Sequence, residues 1–69
     1  MRISYDREAD ASYLELSQKK ADGGTELSEG VILHTTENNE IVGIEILEAS
    51  SRFPVKTLYQ YEFVQSDAA

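Results

Sequence analysis

The sequence predicts a small α+β fold: an antiparallel β-meander of about four strands with a short C-terminal helix packed on one face. Apolar residues alternate with polar ones in several short segments, and turn-forming residues separate those segments. With 69 residues, the chain has room for a single domain. We therefore expect residues 1–64 to form one small α+β domain and residues 65–69 to form a frayed C-terminal tail.

Residues 2–5 and 11–17 are predicted to form the first hairpin. In the second of these strands, alternation places Leu14 and Leu16 on one face and Tyr13 on the other. The connection between the strands has a length typical of hairpins, so we expect the two strands to pair.

Three carboxylates, Asp6, Glu8 and Asp10, alternate in that connection. Calcium loops use alternating carboxylates, but an EF-hand loop also needs a central Gly and a later bidentate Glu, whereas here Ala11 and a strand follow. A turn is the simpler interpretation, in which the Asp6 carboxylate accepts hydrogen bonds from the backbone N–H of Glu8 or Ala9. We expect the turn; the alternative is a metal site formed by these three carboxylates with Glu45 or Glu48 nearby.

Glycines mark the predicted bends in the middle of the chain. The pair Gly23 and Gly24 is expected to form a tight turn, because glycine adopts positive φ angles without strain. Residues 25–36 read as one strand that is bent at Gly30, since a lone glycine in a strand pattern most often marks a bulge.

Asn38 and Asn39 predict a hairpin turn, because asparagine tolerates left-handed backbone angles. The following segment, IVGIEIL at residues 41–47, is the clearest strand in the chain because it is rich in β-branched residues. Alternation along this strand places three apolar residues on one face: Val42, Ile44 and Ile46.

The C-terminal third is less regular. Residues 48–52 are compatible with a helical turn, and residues 55–63 fit both the strand and the helix period. We expect a short helix over residues 55–63, because a four-stranded sheet needs a cover on one face.

The composition limits the partners. The formal net charge of −7 argues against nucleic acid, since binding to phosphates needs a cationic surface. No apolar run is long enough to cross a bilayer and the N-terminal residues are polar, so we expect no membrane segment, no signal peptide and a cytoplasmic location. With no cysteine and one histidine, disulfides and zinc are unavailable to stabilise so short a chain, and we expect self-association instead.

No set of residues in the sequence has the spacing of a catalytic site. His34 lies among apolar and threonine residues of a predicted strand, and no spacing identifies a nucleophile or an acid for it. Ser28, Ser50 and Ser51 lack the context of a catalytic serine. The sequence therefore assigns no catalytic residue and no cofactor; it leaves enzymatic activity undecided and favours a non-enzymatic role.

The outer face of the predicted sheet also carries apolar residues. Tyr13 and Ile41 point away from the core strands, and either Ile32 or the pair Val31 and Leu33 joins them. Apolar residues on both faces indicate that a second chain covers one of them, although scattered apolar residues on a surface need no partner. The candidate interface consists of Tyr13, Ile32, His34 and Ile41.

The blocks SYDREADASYLEL, GVILH and IVGIEILEASSRF resemble the short prokaryotic proteins of the domain of unknown function 2283 family. The resemblance covers residues 1 to about 53, with Glu48 in place of the usual Asp and with His34 and Thr35 in place of a more acidic strand end. It implies no activity and no catalytic residue. Because some members are encoded beside small basic toxin-like proteins, it implies an antitoxin or immunity role.

Two functions from different classes follow. The first is a non-enzymatic interaction module that forms a homodimer and binds a basic protein, an antitoxin-like role. The alternative is a small-molecule or divalent-metal-binding protein, or a minimal enzyme, that uses the acidic hairpin. A structural domain with no partner except itself is a third.

Overall fold

The computed structural model describes residues 1–67 and shows one five-stranded antiparallel sheet followed by two short helices. The predicted class, a small α+β fold with a short C-terminal helix, is confirmed, with five strands in place of four. The strands are β1 (Arg2–Asp6), β2 (Ala11–Glu15), β3 (Gly23–Ser28), β4 (Val31–Thr35) and β5 (Ile41–Leu47). The helices are α1 (Ala49–Arg52) and a 3₁₀ helix (Val55–Tyr59).

The strand order is β1-β2-β5-β4-β3, so the sheet is not the sequential meander that the short connections predict. The strand with the most apolar residues, β5, lies at the centre, where both of its edges are paired. The connection between β2 and β3 crosses the end of the sheet. The backbone N–H groups of Leu16 and Ser17 anchor it to Val42 O, at 2.7 and 3.0 Å. At its far end the N–H of Asp22 binds Thr35 O at 2.8 Å.

Gly23 and Gly24 belong to β3, opposite Thr35 and His34, so the predicted tight turn at this pair is wrong. The connection from β2 uses the residues before Gly23 to reach the far edge of the sheet. The two glycines therefore begin β3 and do not form a turn. At Gly24 a Cβ atom would lie only 2.9 Å from Cγ2 of Ile32, so the missing side chain permits a close cross-strand approach.

Residues 25–36 form a hairpin, and the prediction of one bent strand is wrong. Gly30 lies in the turn with a φ of +80°, which glycine adopts without strain. The bulge expected at Gly30 occurs earlier, between Glu26 and Ser28. The turn is bound to β5, because the N–H of Leu47 donates to Gly30 O at 2.8 Å.

The turn predicted at Asn38 and Asn39 is confirmed. The hydroxyl oxygen of Thr36 accepts the N–H of Asn38 at 3.2 Å and the N–H of Glu40 at 3.1 Å. Asn39 takes the left-handed conformation, with φ at 65°. The threonine thus replaces part of the backbone hydrogen bonding of a tighter turn.

The C-terminal helix is shorter than the sequence predicts. Residues 49–52 form α1, but the 3₁₀ helix ends at Tyr59 and residues 60–67 are neither helix nor strand. Gln60 is extended (φ −134°, ψ 134°), as the alternating aromatic residues that follow it favour. None of the helices in residues 1–67 combines the length and the apolar character needed to cross a membrane. The predicted frayed tail lies partly outside the described residues, and it remains a prediction, as does the domain boundary at 64.

One face of the sheet, which we call the apolar face, contains no charged strand residue. The pairing registers place Leu14, Leu33 and Ile44 side by side at its centre. In residues 1–67 the only buried apolar side chains are Val42 of this face and Ala49 of α1. Ser12 is also buried, and its Oγ atom has no hydrogen-bond partner within those residues. The apolar face consists of Ile3, Tyr5, Ser12, Leu14, Val31, Leu33, Val42, Ile44 and Ile46, with the uncharged Thr25 and Ser28 of β3 at its edge.

The opposite face, which we call the mixed face, combines charged and apolar side chains. Gly43 is buried at its centre, because the ring of Tyr13 lies across the position that a side chain would occupy. The other residues that the registers and the alternation along β5 place here are Arg2, Ser4, Asp6, Ala11, Glu15, Glu26, Ile32, His34, Ile41, Glu45 and Leu47.

We expect Gly43→Ala to lower the free energy of unfolding by about 1–3 kcal/mol, because the new methyl group overpacks a filled site. The added Cβ atom would lie 2.7 Å from the backbone oxygen of Leu14, which cannot rotate away. Urea unfolding measures the change. The matched control is Gly23→Ala, where nothing lies within 4 Å of the added atom, and its stability should equal or exceed that of the unchanged protein. Equal stabilities of the two variants would contradict the proposed packing of Tyr13 on Gly43.

Candidate functional site

The acidic connection between β1 and β2 folds as the predicted turn. Oδ1 of Asp6 accepts the backbone N–H of Glu8 at 3.0 Å and that of Ala9 at 3.2 Å, the two donors named from the sequence. Residues 7–10 form the turn itself. The Asp6 carboxylate therefore has a structural role, because it satisfies backbone groups that the turn leaves without partners.

Asp10 connects this turn to the C-terminal helix. Its Oδ1 atom accepts the Tyr5 hydroxyl at 2.7 Å and the backbone N–H of Ser50 at 3.0 Å, while Oδ2 accepts the Ser50 hydroxyl at 2.7 Å. Its backbone oxygen accepts the N–H of Ala49 at 2.9 Å. Asp10 has a φ of 52°, a conformation that aspartate tolerates better than most residues. Asp10 thus joins the turn between β1 and β2 to the start of α1.

These hydrogen bonds change two pKa values. The Tyr5 hydroxyl is the main cause of the lowered pKa of Asp10, and the hydroxyl and N–H of Ser50 lower it further, because all three donors stabilise the carboxylate. The pKa of Tyr5 is raised, chiefly because its proton is shared with Asp10. At neutral pH the site therefore contains a charged Asp10 and a neutral Tyr5.

The structure does not assemble the acidic hairpin into a metal centre. Asp6 and Asp10 use their carboxylate oxygens for the turn and for Tyr5 and Ser50, respectively. Within residues 1–67, no three histidine, cysteine, aspartate or glutamate side chains are grouped so that they could hold a metal ion. Glu8, the third candidate, therefore lacks the neighbours that a site would need.

A second group of polar side chains lies on the mixed face. The rings of Tyr13 and His34 contact edge to face, with centroids 5.6 Å apart, and Nε2 of His34 lies 3.2 Å from Oε1 of Glu45. No short-range spacing identifies an acid for His34, because Glu45 reaches it diagonally across the β4–β5 pairing, in which His34 is opposite Gly43. The Tyr13 ring lies over Gly43, and all three side chains are on the same face of the sheet.

The four residues of the candidate interface share the mixed face. The register places Ile32 with Tyr13 and His34, and so resolves the choice that alternation left open between Ile32 and the pair Val31 and Leu33. Ile41 lies beside them at the start of β5 and is half exposed. The group combines apolar contact area with a histidine that is hydrogen-bonded to Glu45.

Other surface depressions lie away from this group. One is lined by Lys20, Asp22 and Thr36 near the crossing connection, and another by Met1, Glu15 and Gln18 at the edge of β1. Tyr13, His34 and Glu45 line neither of them.

We expect acid to destabilise the protein partly through Asp10. Its pKa is lower in the folded state, so the unfolded state binds more protons once the pH falls below the ordinary aspartate value of about 4. The stabilisation is complete above that value and is lost as the pH falls through the folded pKa. Melting temperatures measured from pH 7 to pH 2 should fall less steeply for Asp10→Asn, which keeps an acceptor and tolerates the positive φ.

Tyr5→Phe serves as the companion variant for that measurement. It removes the largest cause of the lowered pKa but leaves the carboxylate in place. Its loss of melting temperature on acidification should lie between those of the unchanged protein and Asp10→Asn. Three parallel pH profiles would show that the network of Tyr5, Asp10 and Ser50 does not hold in solution.

Comparison with known proteins identifies the family of this fold. The model of the family described as a protein of unknown function (DUF2283) matches residues 2–50, a range that contains all five strands and ends at Ser50, the residue that binds Asp10. No curated protein and no solved structure matches the chain. Because the match spans well over half of the chain, the protein belongs to the DUF2283 family.

Proposed function

We propose that this protein is a cytoplasmic, non-enzymatic interaction module that self-associates through its apolar face. The observation that carries the proposal is the separation of charge between the two faces of the sheet. The chain has a formal net charge of −7, yet no charged strand residue lies on the apolar face. A solvent-facing surface would gain solubility from charge, so a neutral apolar surface of this size indicates contact with another molecule.

The chain supplies little cover for this face. Five strands of about five residues span roughly 24 by 17 Å, from about 4.8 Å between strands and 3.4 Å per residue. The four residues of α1 extend only about 6 Å and the five of the 3₁₀ helix about 10 Å. Burial agrees with this, since Val42 is the only apolar strand residue of residues 1–67 that is buried.

A second copy of the chain is the partner that fits the apolar face. Two strongly acidic chains repel each other where their charged surfaces meet, and the mixed face would place carboxylates opposite carboxylates. The apolar face is the one broad surface of the sheet where two copies can meet without that cost. A dimer about a twofold axis would bury the same residues of both copies, which is the commonest arrangement of soluble homo-oligomers.

We propose in addition that the mixed face binds a basic protein, in an antitoxin-like role. Its strand residues include the carboxylates of Glu15, Glu26 and Glu45 and, beside the turn, that of Asp6, against the single cation of Arg2. Tyr13 and Ile32 add apolar contact area between these charges. Dimerisation through the apolar face would leave this surface outward and accessible.

The acidic hairpin gives weaker support to the alternative function, which is binding of a metal or a small molecule or a minimal enzymatic activity. Asp6 and Asp10 are committed to hydrogen bonds that hold the turn and α1. A ligand at these oxygens would have to replace the Tyr5 and Ser50 hydroxyls, at the expense of the link between the hairpin and the helix. The arrangement therefore favours a structural role for the hairpin.

Self-association is tested with Leu33→Glu, which puts a carboxylate from each copy into the proposed interface. Sedimentation equilibrium should give a dimer for the unchanged protein and a dissociation constant roughly 100-fold higher or more for the variant. Ile32→Glu is the matched control, because it adds the same charge to the same strand on the opposite face. Circular dichroism checks that both variants fold. Dissociation by Ile32→Glu and not by Leu33→Glu would place the interface on the mixed face.

The basic partner is tested by affinity isolation from the native host at low salt. We expect a basic protein to be retained in a fixed ratio and to be released as salt is raised, since exposed charge pairs are screened. The double variant Glu15→Gln, Glu45→Gln should lose it. The control Glu8→Gln, Glu37→Gln removes the same charge outside the strands and should retain it. Retention by both double variants, or recovery of no basic protein, would contradict the proposed surface.

A further inference from the structure

The last residue of the 3₁₀ helix and the segment after it expose a row of aromatic side chains. We call residues 59–64, YQYEFV, the C-terminal arm. The side chains of Tyr59, Tyr61 and Phe63 are 80%, 81% and 81% exposed in the single chain. Such exposure of three large aromatic rings is costly in water, because each ring could bury about 150–250 Å². The arm therefore offers a second apolar surface that the chain does not use for itself.

The sequence of the arm alternates aromatic and polar residues. Gln60 is extended, and in an extended segment alternate side chains point in opposite directions. An arm that packs in this extended conformation places Tyr61 and Phe63 on one side and Gln60 and Glu62 on the other. One side can pack on a neutral apolar surface while the polar side stays in water.

We infer that the aromatic side of the arm packs on the apolar face of a second copy of the chain. The inference rests on the proposed self-association and specifies how it is completed. The molecule that covers the apolar face is a second copy of the chain. The apolar face offers no charge to a basic protein, and the complementary aromatic surface belongs to the same sequence.

The areas support this arrangement. The sheet face measures about 400 Å² in projection, roughly half of the 800 Å² per partner of a standard stable interface. Three aromatic side chains that are four-fifths exposed add about 360–600 Å² when they pack. Each copy buries its own sheet face under the partner's arm and its own arm on the partner's sheet face. These two areas together reach the area per partner that a stable dimer needs, whereas the sheet face alone does not.

The contact is tested in mixed dimers of isotope-labelled and unlabelled full-length chains. Isotope-filtered nuclear Overhauser spectra should connect ring protons of Tyr61 and Phe63 in one copy with methyl groups of Leu14, Leu33 and Ile44 in the other. A dimer whose intermolecular signals join only the two apolar faces would overturn the inference and leave self-association intact. Signals from the arm to its own chain alone would also overturn it. A monomer at millimolar concentration would overturn both.

A pair of double variants supplies the affinity measurement. Tyr61→Ser, Phe63→Ser removes two aromatic side chains that the single chain leaves exposed, so the fold should be unaffected while the dimer dissociation constant rises about tenfold or more. The interleaved control Gln60→Ser, Glu62→Ser changes the other side of the arm and should leave the constant within about threefold. Equal effects of the two variants would overturn the inference.

Discussion

The pairing of β2 with β5 holds this structure together. The first hairpin and the three-stranded unit of β3, β4 and β5 are separate in sequence, and this pairing makes them one sheet. It places Leu14 beside Ile44 on the apolar face and Tyr13 beside Glu45 on the mixed face. A shift of the register by one residue would exchange these faces, because the side-chain period of a strand is two. Both proposed binding surfaces therefore depend on it.

Asp10 reinforces that register from the end of the sheet. Its side chain binds Tyr5 in β1 and Ser50 in α1, and its backbone binds Ala49, so the turn and the helix hold each other in position. Arg52 extends the same clamp to the other half of the sheet, since its guanidinium donates to Leu47 O and to Glu29 O in the turn between β3 and β4. A four-residue helix thus compensates for its small packing area by hydrogen bonding to both halves of the sheet.

Local chemistry explains which features the sequence predicts. The Asp6 turn, the Asn38 and Asn39 turn and the strand at residues 41–47 depend on neighbouring residues, and each is found where it was expected. The turn predicted at Gly23 and Gly24 is wrong because a glycine permits a turn without requiring one. The crossing connection places both glycines at the start of β3 instead. The partners of Asp10 and His34 were missed for a different reason: Ser50 and Glu45 reach them through strand order, which short-range patterns do not encode.

The extent of the family match separates two contributions to the proposed dimer. The matched range, residues 2–50, contains the whole sheet and both faces, but the C-terminal arm lies beyond it. The sheet that carries the apolar face thus lies within the range that the family model matches, and the arm does not. Because the face alone provides about half the area of a standard interface, the fold by itself would associate weakly. The aromatic residues of the arm would then set the strength of association while the sheet sets its geometry.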